Sequence, residues 1–433
     1  MFSGEREIVT ALDIGSSKIF TIVAEKKGDT IGEIIGVAIT SSQGIRHGII
    51  VDIDKTVSAI KQVLTEAERM SGVNINSVFV NVTGSHISSI NKRKVVSVLG
   101  ENHEITSKDV ARVTDVNELI SVPSSKEIIH VLPSEFIVDG CKGIKSPLGM
   151  SGMIIEAKSH IVLGDKAAIK NLVKCVSQSG VEIESLVFQA LANAEAVLTN
   201  SEKRLGVVLV DIGAGITDVS IYKDSSIKYN TVLEFGGDNI TSDLARELRI
   251  SQKDAEKLKR NYGCAFSKST SAISDIEFIT TKGEKILIPE KKAAKIIERR
   301  ISEIFKAVNR KIIKSGHKDL LPAGIVITGG EALLSNLSET ASKVLSLPTR
   351  LGIPNRFDDL ARFFVGENSI GNKKKGVIFS TGLGLLEYGS KKQEDKKDLT
   401  KAFKNKQFKK QQSDSKKSPG LWAKIKNVIN SFF

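Results

Sequence analysis

A five-residue signature occurs twice in this chain of 433 residues. Asp13-Ile14-Gly15-Ser16-Ser17 and Asp211-Ile212-Gly213-Ala214-Gly215 lie 198 residues apart, and each follows an apolar run of strand length. Each also leads into a second apolar segment, at 19–24 and at 219–222. Strand, glycine turn and strand make a hairpin, and the same unit in both halves predicts a duplicated fold with a cleft between the copies. Glycine lets the backbone turn sharply and approach another group closely. Successive unpaired N–H groups at such a tip form an anion-binding nest.

The side chains at the two tips suit phosphate chemistry. Gly15, Gly213, Ala214 and Gly215 leave backbone open to a ligand; Ser16, Ser17 and Thr217 add hydroxyls; Lys18 adds a cation. Asp13 and Asp211 would face one Mg2+ from opposite sides, since that ion keeps most of its waters and takes one or two carboxylates plus phosphate oxygens. One such tip alone is an ordinary β-turn. Two further glycine turns strengthen the reading. Residues 325–334, Ile-Val-Ile-Thr-Gly-Gly-Glu-Ala-Leu-Leu, read as a strand, a turn at Gly329 and Gly330, and a helix starting at Glu331. Backbone without side chains there can lie flat against a purine. Gly236 and Gly237 open another helix, and further on Glu256 and Lys259 share one helical face. That pair could hydrogen-bond a ribose and adenine, or be an ordinary solvated pair.

Elsewhere, apolar periodicity predicts strands at 8–12, 31–39 and 77–82 and helices at 54–70, 165–179 and 189–198. Between 85 and 163 the pattern shifts to short alternating strands, one helix near 107–118, and Pro123, Pro133 and Pro147. This predicts a small α+β unit inserted into the first half. No apolar run approaches the roughly 18 residues of a membrane-spanning helix. The three cysteines are widely spaced, which suits a reducing compartment. The N-terminus has no basic and apolar regions of the kind a signal peptide carries, and the six histidines show no metal-ligand spacing.

The formal charge of +13 is unevenly placed, because residues 391–433 hold 13 lysines and 4 acids. The tail is therefore the basic part, and it predicts an anionic partner surface. Few aromatics interleave its lysines, only Phe403 and Phe408 in the 391–417 stretch, which argues against nucleic acid. That stretch reads as a disordered linker. Beyond it, Ser418 and Pro419 can start a helix. At 100° per residue, Leu421, Trp422, Ile425, Val428, Ile429, Phe432 and Phe433 fall within an arc of roughly 140°. Lys424 and Lys426 border this face and can snorkel to headgroups, so the helix suits an anionic membrane surface.

Hairpin one (13–18), a connecting segment at 189–196, hairpin two (211–218), the glycine turn at 325–334 and a second connecting segment at 380–386 come in the order of the actin-like ATPase superfamily, which the chain resembles. The resemblance implies an α/β, actin-like fold, a duplicated ribonuclease H-like architecture of two lobes around a nucleotide cleft with an inserted α+β subdomain. It implies ATP and Mg2+ as cofactors. Gln189 stands at the superfamily position that orients the attacking water, so Gln189 and Asp211 are the candidate catalytic residues for at most slow hydrolysis by positioning. Within the superfamily, Gly44-Ile45-Arg46-His47-Gly48-Ile49-Ile50-Val51-Asp52, the insert from near Ser85, residues 206–218, Phe235-Gly236-Gly237-Asp238-Asn239-Ile240-Thr241 and Asn261-Tyr262-Gly263-Cys264 resemble the bacterial cell-division family FtsA over residues 6–390.

That resemblance implies subdomain 1A at 1–84 and 164–205, the insert 1C at 85–163, 2A at 206–237, 2B at 238–320, and the end of 2A with a return to 1A at 321–390. The linker at 391–417 and the helix at 418–433 follow. It also implies filament formation by self-association, contact with other division proteins, and binding of the acidic, apolar C-terminal tail of FtsZ by 2B. Arg299 and Arg300, on a basic helix at 290–313, are the candidates for that contact. The implied location is the cytoplasmic side of the cell membrane at the division septum. A small-molecule kinase of the same fold, or another membrane-associated actin-like cytoskeletal ATPase, remains the alternative.

Overall fold

The computed structural model describes residues 7–28, 30–116, 122–271, 273–364 and 373–395. The expected membrane helix and the linker from 396 onward lie outside these residues. The first half runs β1 (Ile8–Ile14), β2 (Lys18–Lys27), β3 (Thr30–Ser41), a small hairpin of β4 (Ile45–Arg46) and β5 (Ile49–Ile50), α1 (Ile53–Ser71) and β6 (Ser77–Val82). The insert follows as β7 (Ser88–Ser97), α2 (Ser107–Thr114), β8 (Lys126–Val138), β9 (Cys141–Ile144) and β10 (Ile154–Asp165). The chain returns through α3 (Lys166–Gln178), β11 (Glu182–Phe188), α4 (Gln189–Val197) and α5 (Asn200–Leu205). The second half is β12 (Val207–Ile212), β13 (Thr217–Lys223), β14 (Ser226–Leu233), α6 (Gly237–Leu248), α7 (Gln252–Tyr262), β15 (Asp275–Ile279), β16 (Lys285–Pro289), α8 (Glu290–Lys314), β17 (Ile325–Thr328), α9 (Leu337–Leu345), β18 (Thr349–Leu351), α10 (Phe357–Ala361) and α11 (Ser380–Asp395).

The two large sheets are ordered β11-β6-β1-β2-β3 and β18-β17-β12-β13-β14, one the copy of the other. In each, the central strand pairs antiparallel with its hairpin partner and parallel with the strand on its far side. β1 and β12 are almost continuously apolar because both of their faces are covered. The insert forms its own antiparallel sheet, β7-β10-β8-β9. Val110 and Val113 of α2 pack against Phe136, Ile155 and Ala157 of that sheet.

Helix α1 shows how local signals set the frame. Thr56, Ala59, Ile60, Val63, Leu64 and Ala67 recur at helical spacing and are buried. Burial of Ile60, Val63 and Leu64 contributes about 1.5–3 kcal/mol each. Asp52 caps the first turn by accepting from the Lys55 N–H, and Gly72 ends the helix in the left-handed region at φ 70°. Helices α4 and α11 cross between the halves so closely that a Cβ on Gly384 would run into the carbonyl oxygen of Ala192.

Three expectations change. No α-helix starts at Glu331: a short 3-10 turn spans Gly330–Leu333, and α9 begins only after Asn336, which sits at φ 58° and breaks the helical path. The helix expected near 107–118 ends at Thr114, where Asp115 turns to extended backbone. Residues 391–395, expected in the linker, continue α11, and Lys391 pairs with Glu195 of α4. That ion pair gives the last described turn a partner on the folded body.

Candidate functional site

The strand register builds the two tips. Asp13 pairs with Phe20 and Ile14 with Ile19, leaving residues 15–18 as the first tip. Asp211 pairs with Asp218 and Ile212 with Thr217, leaving residues 213–216 as the second. Both close alike, with the Gly15 N–H donating to Lys18 O and the Gly213 N–H to Ile216 O, each at 3.0 Å. Among the described residues, the amides of Ser16, Ser17, Ala214 and Gly215 meet no acceptor. The tips face each other, since a Cβ on Gly215 would lie 3.2 Å from Ser16 Oγ. Two opposed sets of free amides can hold a polyanion.

Below the tips lies a buried polar chain. Lys18 Nζ is 3.1 Å from Asp13 Oδ2. Asp211 Oδ2 accepts from Gln189 Nε2 at 2.8 Å and from Asn193 Nδ2 at 2.7 Å. These donors stand one turn apart on α4, so both reach one oxygen. Gln189 Oε1 accepts from Asn81 Nδ2 at 2.8 Å, and Asn81 Oδ1 accepts from the Ile14 N–H at 2.8 Å. Thr381 of α11 donates to Asn193 Oδ1 at 2.9 Å. Thr83, just after β6, donates to both oxygens of Asp218 at 3.0 Å. Burial pushes the Asp211 carboxyl up, against the hydrogen bonds from Asn193 and Gln189. Burial, then the charge of Asp211, pushes Asp218 up to about 8.

A second cluster gathers the glycine turns. Gly329, at φ 90°, lies under Asp211, and a Cβ there would strike its carboxylate. Gly330 faces open space. Gly236 approaches the carbonyls of Gly213 and Ala214, and a Cβ on Gly237 would run into the Glu331 carboxylate. Lys259 Nζ is buried, 2.8 Å from Glu331 Oε1, 3.0 Å from Glu256 Oε2 and 3.2 Å from Gly237 O. Burial alone would raise Glu256, but Lys259, Thr241 and Arg260 outweigh it and hold the group at about 2. The solvated-pair reading of Glu256 and Lys259 therefore fails, because Lys259 is an interior cation shared by two carboxylates.

Most of the expected residues converge, and several take roles other than those expected. Thr217 is fully buried, and its hydroxyl donates to Phe235 O at 2.8 Å, bracing hairpin two instead of facing the cleft. Gln189 has both ends of its amide engaged, by Asn81 and Asp211. Arg300 pairs with Asp243 and Glu303, both at 2.7 Å, and Arg299 with Glu247, so these two guanidiniums already have acidic partners. Among the described residues no group of three or more His, Cys, Asp or Glu side chains is placed to hold a metal. Asp13 and Asp211 supply two carboxylates, a number that suits Mg2+ when phosphates complete its shell. Sequence reasoning missed Asn81, Thr83, Asn193, Asp218 and Thr381. Asp218 had a signal: the second copy places an acid in an apolar strand where the first has Phe20.

Two sheets of one order, paired hairpins and crossing helices beneath them define the actin-like class of two-lobed proteins. Solved structures agree at the level of fold. A PilM–PilN type IV pilus biogenesis complex matches with a TM-score of 0.63 at 17% identity, covering 88% of this chain and 98% of that one. MreB5 of Spiroplasma citri bound to ADP matches at 0.53 and 15%, covering 90% and 99%. The family model for cell division protein FtsA matches residues 208–384, and that for the SHS2 domain inserted in FtsA matches 84–163. Cell division protein FtsA of Pseudomonas aeruginosa is 35% identical over 391 residues, 90% of this chain and 91% of that protein. FtsA of Bacillus subtilis is 35% identical over 384 residues, 88% and 83%. The chain belongs to the FtsA family of cell division proteins.

Proposed function

We propose that this protein binds ATP with Mg2+ between its two lobes, assembles into filaments, and ties FtsZ to the membrane at the division septum. The observation that carries the nucleotide reading is the pair of facing hairpin tips with free amides at Ser16, Ser17, Ala214 and Gly215. Those amides and Lys18 would hold the phosphates, and Asp13 and Asp211 would hold the hydrated metal, which screens phosphate charge. Gly330 leaves room for a purine, with Glu256, Lys259 and Glu331 beside it. The fold relative from Spiroplasma citri is described as bound to ADP, which supports the same reading. Gln189 would orient a water through the Oε1 lone pair that Asn81 leaves open, its Nε2 being held by Asp211 and Asp218, giving slow turnover at most.

The basic tail supports the membrane part. Each lysine near an anionic leaflet contributes about 1 kcal/mol, while ordering a free segment into a helix costs much of the apolar gain. A linker of 396–417 would span roughly 25 Å root-mean-square as a coil. One helix would bind reversibly, and neighbours on a filament would bind by avidity. The FtsZ tail would dock on the second-half helices near Arg299 and Arg300, its acids competing with Glu247 and Asp243. Liposome pelleting tests the whole reading, with and without ATP, FtsZ and residues Leu421 to Phe433. Loss of pelleting on deletion, with retained binding of a fluorescent ATP analogue, is the expected result. Retained pelleting, or no saturable nucleotide binding, would sink the corresponding half.

A further inference from the structure

The hairpin of β4 and β5 reaches into the cleft from lobe one. Ile45 pairs with Ile50 and Arg46 with Ile49, so His47 and Gly48 are its two turn residues. Both have positive φ, 50° and 74°, the type I′ pattern. A histidine in the left-handed region is uncommon, and such backbone tends to persist where surrounding contacts hold it. Here the contacts are to both phosphate tips. The Gly48 N–H donates to Ser16 Oγ at 3.1 Å. His47 Nδ1 lies 2.7 Å from Gly215 O, and since a carbonyl only accepts, Nδ1 carries the proton. The backbone of His47 lies against Gly215 so closely that a Cβ there would come within 3.1 Å of the His47 nitrogen. Behind the turn, Gly48 rests on Gly84.

Gly215 belongs to the second half and His47 to the first. The imidazole is thus a bond between the lobes placed at the tips. We propose that His47 is a strap across the cleft, holding hairpin two against lobe one and so setting how fast a bound nucleoside triphosphate leaves. This rests on the nucleotide reading of the cleft. Opening the lobes to release a polyanion must break the His47 to Gly215 hydrogen bond, whereas the amides that hold the phosphates stay on their own hairpins. His47 is a positioning residue, acting through Gly215.

The test separates the strap from the turn. His47→Gly keeps a residue that tolerates the left-handed region and creates a Gly-Gly pair that type I′ turns accept, and it has no side chain to replace Nδ1. The full chain, loaded with a fluorescent ATP analogue and chased with unlabelled ATP, is expected to release the analogue about five- to tenfold faster with His47→Gly than with the parent sequence. Thermal stability should be unchanged. Hydrogen exchange at the hydrogen-bonded amides of Gly213, Gly237 and Asp238, which hold hairpin two and are measured without nucleotide, should also be faster in the variant. Release within twofold of the parent, or equal exchange at those amides, would overturn the strap. If the parent itself shows no saturable binding, the nucleotide reading fails, and the exchange experiment still decides whether His47 restrains hairpin two.

Discussion

Replacing Lys259 by Met tests the interior charge cluster most directly. The ammonium sits 2.8 Å from Glu331 and 3.0 Å from Glu256, with 4% of the lysine side chain and 10% of that of Glu331 exposed. Met keeps the length and apolar stem, so the change removes charge with little loss of volume. Glu331 would then be a buried carboxylate without its cation, and breaking such a pair costs about 3–5 kcal/mol. The loss should depend on pH. Burial and the neighbouring Glu256 and Asp238 already push Glu331 above its ordinary range, with Lys259 opposing. Without Lys259 the folded-state value rises further, so the variant loses stability as pH rises from the unfolded value through that raised one, and regains it at lower pH. Urea unfolding followed by far-ultraviolet circular dichroism is the assay, because it reads the helices and strands directly and the single tryptophan, Trp422, falls outside the described residues. Adding Glu331→Gln should recover at least half of the loss, since the amide is neutral and can still hydrogen-bond. A loss below about 1 kcal/mol, or a double variant no better than the single, would refute the view that Lys259 neutralises Glu331.

Other predictions follow from the same geometry. Asp218, raised to about 8, favours the protonated folded state, so the parent should lose stability as pH rises from about 4 to about 8, at up to about 1.4 kcal/mol per unit. Asp218→Asn should flatten that slope in denaturation curves, and an unchanged slope would remove Asp218 as its source. Gly384→Ala places a Cβ against the Ala192 carbonyl, so α4 must move at a cost of about 1–3 kcal/mol. Because α4 carries Gln189 and Asn193, nucleotide affinity should fall together with the melting temperature. Asn193→Ala removes one of two donors to the buried Asp211 and should cost about 1.5–3 kcal/mol. A melting curve indistinguishable from the parent's would show that Gln189 and water suffice. Lys18→Ala should leave stability nearly intact, its side chain being partly exposed, while weakening binding of the ATP analogue.

The duplicated Asp-Ile-Gly hairpins were legible because their causes are local. A continuous apolar run marks a strand buried on both faces, and glycine marks a turn where backbone must come close. Repetition then gave the two lobes and the cleft, and the changed periodicity from 85 marked the insert. Helix ends were less legible: Asp115 ends α2 and Asn336 delays the start of α9, each through a backbone conformation that many sequences could have avoided.

Which residues meet across the cleft belonged to the tertiary structure. Asn81 and Thr83 follow the first hairpin by some tens of residues, and Asp218 comes from the other half. No periodicity links them, because their contacts depend on how two sheets are set against one another. The same holds for Lys259, which on its helix looks like one of many surface lysines and becomes an interior cation only when Glu331 is folded over it. Thr217 shows the converse, a hydroxyl that suited a ligand by type and was taken by Phe235 O. The sequence by itself determined the strands, the tips and the duplication, since these rest on the covalent chain and its nearest neighbours. Only the tertiary structure decided which polar groups face the cleft and which are bound to one another, because that depends on desolvation and distances set by the whole fold.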